Sequence, residues 1–426
     1  MNLLVIGGGG REHALIIALK KSPEVTKIYA LPGNGGIASI AECVPIKPTD
    51  IDGIVHFAQS HAIDFAVVAP DDPLVLGAVD ALEAAGVPCF GPNKDAAIIE
   101  GSKAFSKALM RKYAIPTANY ETFEEAAAAI RYVRENNAYP IVIKADGLAL
   151  GKGVIIAETF LEAEAAILMM MQERAFGKSG DRVVIEEFLT GPEVSVLAFT
   201  DGRTLLPMVS SMDHKRIFDN DQGLNTGGMG AVAPNPYYTN EIAKLCMRDI
   251  FIPTIRAMEQ ENRRFRGCLY FGLMLTNDGP KVIEYNCRFG DPETQAVLPL
   301  LKSDLLQVMQ AVRNDILHEV ALSFHAGAAC CVVLASGGYP QAYETGKRIQ
   351  IDDAAYEKNS YIYHAGTMLN TDNLLCTSGG RVLGVTSVGN TLQDAIDTAY
   401  HSANCVHFEG KHMRGDIGQR ALAAQQ

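Results

Sequence analysis

Short apolar runs alternate with amphipathic stretches over the first hundred residues. Leu3–Ile6, Lys27–Ala30, Phe65–Ala69 and Cys89–Phe90 read as strands, and the apolar positions in 12–21 and 74–85 recur at helical spacing. Strands that alternate with helices predict a parallel α/β sheet over residues 1–102. From Gly101 the pattern changes. A helix is expected over Phe105–Tyr113, a turn at Ile115-Pro116 and an alanine-rich helix over Glu124–Asn136. Strands at Ile141–Lys144, Gly153–Ala157, Val183–Glu187 and Val194–Thr200, with a helix over Leu161–Gln172, describe a small α+β lid at about 122–192.

Residues 203–320 return to mixed structure. From about Ala326, short β segments (Ala329–Leu334, Tyr361–His364, Arg381–Val388) precede a helix over Leu392–Val406. The expectation is a multidomain chain of α/β and α+β class. An N-terminal parallel-sheet domain covers 1–102, a central domain with the lid covers 103–325, and a β-rich C-terminal domain of mixed β/α structure covers 326–426. The 426 residues and 48% hydrophobic content suit about three cores of ordinary size.

Charge and cysteine usage narrow the function. A net charge of −12 argues against a general nucleic-acid or anionic-membrane surface, while leaving room for a local basic pocket. Nine cysteines with no Cys-x-x-Cys pair resemble neither a disulfide framework nor a zinc site. The first residues, Met1–Ile6, meet glycines at once and carry no basic leader pattern. No apolar run approaches the ~18 residues of a membrane span. The expectation is a cytoplasmic enzyme of small anionic substrates, without nucleic-acid or membrane partners.

The densest chemistry lies in Lys281-Val-Ile-Glu-Tyr-Asn-Cys-Arg-Phe-Gly-Asp-Pro-Glu293. Side chains alternate along a strand, so Glu284, Asn286 and Arg288 share one face, and Ile283, Tyr285 and Cys287 share the other, packed face. A carboxylate and an amide oxygen two residues apart suit Mg²⁺, which completes its shell with water and phosphate oxygens. Arg288 can clamp a carboxylate or phosphate.

Two glycine loops end the first two strands. Gly7-Gly-Gly-Gly-Arg-Glu-His13 meets a helix start, a natural anion site. Its glycine spacing lacks the third glycine of a dinucleotide fingerprint. Ala30-Leu-Pro-Gly-Asn-Gly-Gly36 supplies no acidic group for a ribose, and the pair of loops reads as a phosphosugar pocket. Further on, Lys144-Ala-Asp-Gly-Leu-Ala-Leu-Gly-Lys-Gly-Val154 places two lysines around a glycine loop able to cover nucleotide phosphates; it is not a Walker loop. Val183–Glu193 offers backbone groups for an adenine and Glu193 for a ribose. Asp213, Lys215 and Arg216, beside the glycine-rich Asn225–Gly230, are placed to orient charged substrates. His13 and His214 are read as scaffold rather than proton carriers.

Together these segments resemble the ATP-grasp carboxylate–amine ligases and, within them, the phosphoribosylamine–glycine ligase family. The segments that carry the resemblance are Gly8–His13, Pro32–Gly35, Gly101–Phe105, Lys144–Val154, Asp213–Arg216, Asn225–Gly230 and Glu284–Gln295, in family order across the whole chain. The resemblance implies ATP-dependent joining of glycine to 5-phosphoribosylamine through glycyl phosphate, the second step of purine synthesis. It implies ATP contacts from Lys103, Lys144, Gly151, Lys152, Glu186, Glu187, Phe188, Leu189 and Glu193, and Mg²⁺ or Mn²⁺ on Glu284 and Asn286. Asp213, Lys215 and Arg288 would be catalytic, Arg288 also gripping the glycine carboxylate. Gly9, Gly10, Arg11, Asn34, Gly35, Asp71, Asp291 and Pro292 would bind substrate. A monomer or weak homodimer is expected. Two departures stand out: Asp71 occupies a place where the family often has Glu, and Tyr270–Thr276 carries no acidic metal ligand.

Overall fold

The structure is a computed structural model and describes residues 1–148, 153–352, 357 and 359–425. The first sheet has five parallel strands in the spatial order 42–43, 27–32, 2–7, 65–68, 89–90. Its central strand, Asn2–Gly7, is covered on both faces, which is why Leu3, Leu4, Val5 and Ile6 form an unbroken apolar run with no exposed surface. Both glycine loops leave the same edge of this sheet. The helix expected over Leu74–Ala85 is two helices, Asp71–Leu76 and Ala78–Ala84, because Gly77 between them has φ +93° and lies outside helical space.

Two four-stranded antiparallel sheets dominate the described part of the central region. One runs 205–207, 193–200, 267–276, 279–286; the other, the lid, runs 120–123, 183–187, 141–145, 154–157. The helices Ala126–Asn136 and Phe160–Met171 cover the lid sheet, and Ala129, Val133, Ile143 and Ile167 close a core separate from the others. A separate core lets this unit move as one body.

The last sheet orders its strands 212–213, 230–233, 328–336, 381–389, 360–364, with 411–412 beside 328–336. Two of its strands come from the central region, so the sheet crosses the boundary expected at 325/326. Pairing decides this: Gly230–Ala233 runs antiparallel to Ala329–Val332. One apolar cluster then joins Val5 and Leu15 to Phe199 and Tyr270 and to Cys331 and Tyr363. The first sheet, the central sheet and the last sheet therefore share a core, and the clefts between them have fixed walls.

Candidate active site

Two cavities meet where these units converge. The larger, of about 820 Å³, opens between the lid and the central sheet; the smaller, of about 380 Å³, lies between the two glycine loops and the last sheet.

The strand Gly279–Asn286 forms the floor of the larger cavity. Its partner strand pairs Gly272 with Glu284 but Leu273 with Val282, so Ile283 is an extra residue, a β-bulge. Ile283 was expected on the packed face with Tyr285 and Cys287. Those two are buried, whereas Ile283 is only partly so and lines the cavity with Glu284 and Tyr285. The bulge leaves the Ile283 carbonyl free to accept from Lys144 Nζ at 3.0 Å.

Glu284 is the electrostatic centre. Lys215, followed by Lys144, Lys103 and Arg288, pushes its acid constant down to about 2 against the effect of burial, so it is a carboxylate at every working pH. Lys215 Nζ lies 3.5 Å from Glu284 Oε1 and 3.6 Å from Glu193 Oε2. Glu284 chiefly holds that ammonium well above its usual range. Asn286 Oδ1, two residues on, accepts from Arg288 Nη2 at 3.3 Å and keeps a second lone pair. Among the described residues no cluster of three or more His, Cys, Asp or Glu side chains could hold a metal. An ionised carboxylate beside an amide oxygen is nevertheless the donor set that suits Mg²⁺ or Mn²⁺ sharing its shell with phosphates.

Arg288 is set by a residue the sequence reading missed. Glu100 ends the helix Lys94–Gly101; its Oε2 accepts from Cys287 N at 2.7 Å and its Oε1 pairs with Arg288 Nη2 at 3.1 Å. Burial works against the guanidinium charge, but Glu100 and Asp71 outweigh it and raise the group further. The signal available was the carboxylate next to Gly101-Ser-Lys.

On the lid side, Lys144 and Lys107 flank the buried Glu186, at 3.0 and 2.8 Å from its two oxygens. Lys107, also unforeseen, is drawn down to about 8 by burial. Lys103 starts the helix Lys103–Lys112 and donates to Gly147 O at 2.9 Å; Ser102 caps that helix by accepting from Phe105 N and donates its own hydroxyl proton to Asp146. Glu187 accepts from Asn119 N and Nδ2, both at 3.0 Å, and pairs with Lys281 Nζ at 3.6 Å. Glu187, Phe188, Leu189 and Glu193 all line the larger cavity, as do Arg11 and Asp71. Gly151 and Lys152 lie outside the described residues.

Asp213 faces the same space. Burial, then Glu293, raises its carboxyl well above the usual range, and its Oδ1 accepts from His214 N at 2.7 Å. His214 is scaffold: Nε2 accepts from Gly418 N and Nδ1 donates to Gly230 O, and burial lowers the ring to about 4.

The smaller cavity is walled by glycine-rich backbone together with Asp291, Tyr339, Ser378 and Arg381. Gly8, Gly9, Gly33 and Asn34 line it, facing Gly366 and Thr367. The Asn34 side chain is fully occupied: Nδ2 donates to Gly8 O and His364 O, and Oδ1 accepts from Gly36 N and Ile37 N. Its contribution to a ligand is therefore the main chain. His13 likewise accepts from His364 N at 2.8 Å, and burial, then His364, lowers it to about 3. Gly10 packs on Gln295, Gly35 on Met368 and Leu375, and Pro292 on Gly228, all behind the walls.

Comparison with known proteins decides the family. Residues 1–100, 101–294 and 329–420 match the N, ATP-grasp (A) and C domains of phosphoribosylglycinamide synthetase. The chain belongs to the phosphoribosylglycinamide synthetase family. It is 48% identical over 429 residues to the phosphoribosylamine–glycine ligase of Vibrio cholerae, covering 100% of both chains. It is 46% identical over 417 residues to that of Caldanaerobacter subterraneus subsp. tengcongensis, covering 98% of this chain and 99% of the relative. The crystal structure of the Thermotoga maritima phosphoribosylamine–glycine ligase superposes with a TM-score of 0.85 at 34% identity, over 98% of this chain and 100% of that one. A biotin carboxylase domain from Hydrogenobacter thermophilus, solved with MgADP and bicarbonate, shares the fold at a TM-score of 0.75 and 14% identity, over 100% of this chain and 94% of that one.

Proposed function

We propose that the chain joins glycine to 5-phosphoribosylamine with ATP, giving glycinamide ribonucleotide, ADP and phosphate, the second step of purine synthesis. The observation that carries this is the pairing of a cavity whose floor gathers Lys103, Lys144, Lys215 and Arg288 around Glu284 with a second cavity beside it that is built on two glycine loops. A polyphosphate and a carboxylate need the first; a sugar phosphate fits the second.

A carboxylate does not acylate an amine unaided, so the γ-phosphoryl group first passes to glycine. Such a transfer depends on positioning and charge neutralisation more than on covalent work by the protein. Lys103 and Lys144 face the phosphates, with the adenine against the backbone of Glu186–Leu189 and the ribose near Glu193. A divalent cation held by Glu284 and Asn286 supplies charge neutralisation at the phosphates. Arg288, braced by Glu100, holds the glycine carboxylate in line. The sugar amine then attacks glycyl phosphate: the N–C bond forms, the C–O bond to phosphate breaks, phosphate leaves with the electron pair, and the amine proton passes to it. Asp213 and Lys215 position these partners. The lid, with its own core, closes over the acyl phosphate and keeps water out.

The enzyme works in the cytoplasm as a monomer or weak homodimer. Among the described residues no helix is long and apolar enough to cross a membrane, and all nine cysteines are free thiols. The test is phosphate release from ATP and Mg²⁺ with phosphoribosylamine generated in place from ammonia and ribose 5-phosphate. Release is expected to require glycine and the sugar amine together. Release that instead follows bicarbonate, or none with any combination, overturns the reading.

A further inference from the structure

Among the described residues, Asp291, Tyr339 and Arg381 line both cavities. They stand where a ligand spanning the two would pass. Arg381 opens the strand Arg381–Gly389 and spends its guanidinium on protein oxygens. Nη1 donates to Gly227 O at 2.6 Å and Asp291 O at 2.8 Å, with Gly228 O farther at 3.4 Å; Nη2 pairs with Asp291 Oδ2 at 3.2 Å. Tyr339 meets the same peptide from its other side, its hydroxyl accepting from Gly227 N at 3.0 Å. That hydroxyl keeps its own proton to donate. The Tyr339 ring packs on Gly380, where a Cβ would come within 2.2 Å of Cδ2. The C-terminal segment thus grips the Gly227 peptide at both its N–H and its carbonyl.

The grip reaches the chemistry through one neighbour. Gly228, at φ +111°, lies over the Asp213 carboxylate, since a Cβ there would sit 2.8 Å from Asp213 Oδ1 and 2.4 Å from Pro292 Cδ. Shifting Gly227 therefore moves the roof of the place where amine and acyl group meet. These contacts tie Nη1 and Nη2 to protein oxygens and fix the guanidinium in the wall of the passage.

We infer that Arg381 and Tyr339 are positioning residues that hold the passage between the cavities in register, so that an aminosugar phosphate seated in the smaller one presents its amine to the acyl phosphate in the larger. The inference rests on the proposed function and assigns a task to the C-terminal segment. If the passage slackens, the acyl phosphate still forms from ATP and glycine, but the amine arrives out of line and water takes its place. A lysine at 381 keeps the charge but cannot make the forked contact to Gly227 and Asp291.

The test uses the full chain as wild type, Arg381→Lys and Tyr339→Phe. ADP release and incorporation of labelled glycine into amide are measured together, with KM for the sugar amine and for ATP, and thermal melts as a control. Wild type is expected to form about one amide per ADP. Both variants are expected to release several ADP per amide and to raise the sugar KM roughly tenfold, with the ATP KM changed less than about twofold, as a misplaced reactant would cause. Loss of rate with the ratio kept near one, or with both KM values rising alike, would show a merely structural role and overturn the inference. Should Arg381→Lys fail to fold, Tyr339→Phe, which keeps the ring on Gly380, decides alone. A wild type with no glycine-dependent ADP release sinks the proposed function instead, which separates the two failures.

Discussion

The two cavities are built by opposite means. In the larger, charged side chains from four segments converge on Glu284, while in the smaller the side chains of Asn34 and His13 are consumed in holding main chain in place. A triphosphate and an acyl phosphate change charge during the reaction, and ionic side chains answer that change. A sugar phosphate keeps its charge, and the glycine loops and a helix start offer it fixed amides beside Asp291, Tyr339 and Arg381. Substitutions should accordingly act chiefly on rate in the first cavity and on geometry or stability in the second.

The sharpest test of that contrast is Glu284→Gln. Turnover is expected to fall on the order of 10²-fold or more, because a preorganised charge is lost without loss of volume, and the melting temperature to fall as well, because four cations lose the carboxylate they share. A Mg²⁺ titration checks the assignment; an unchanged metal dependence would break it. Next in size, Asn34→Ala removes the partners of Gly8 O, His364 O, Gly36 N and Ile37 N. A loss of about 2–4 kcal/mol in denaturant unfolding is expected, at roughly 1 kcal/mol per hydrogen bond. A variant with wild-type stability but slower chemistry would reverse the assignment of the two cavities.

A further test is pH. His13 and His364 sit behind the smaller cavity with acid constants lowered to about 3 and about 4 from 6.5, chiefly by burial. Because the unfolded chain takes up these protons first, their stabilising contribution is complete above pH 6.5 and drains away as pH falls toward 4 and then 3. Glu284, at about 2, stays charged throughout that window. Denaturant midpoints at pH 7, 5.5 and 4.5 should fall progressively. A flat series would show that the two rings are not buried neutral.

Legibility in the sequence follows the same division. Glu284, Asn286 and Arg288 were readable because alternation along a strand is a local rule, and the glycine loops because they end strands. Ile283 was misplaced because a bulge is decided by the partner strand. Asp291 and Arg381 are ninety positions apart and meet only in the folded chain, so no spacing rule joins them. Glu100 lies 187 positions from Cys287 in the chain, and nothing local to it points to that contact. The helix break at Gly77 was hidden because one glycine inside a helical pattern is often tolerated.

The bulge at Ile283 also bears on how this active site can be explored by mutation. What position 283 gives Lys144 is a carbonyl oxygen, which all twenty amino acids possess. A substitution scan would therefore score the position by side-chain fit alone and pass over its tie to the lysine. Only an edit to the length of the strand, one residue removed, would take that oxygen away while returning the ladder to regular pairing.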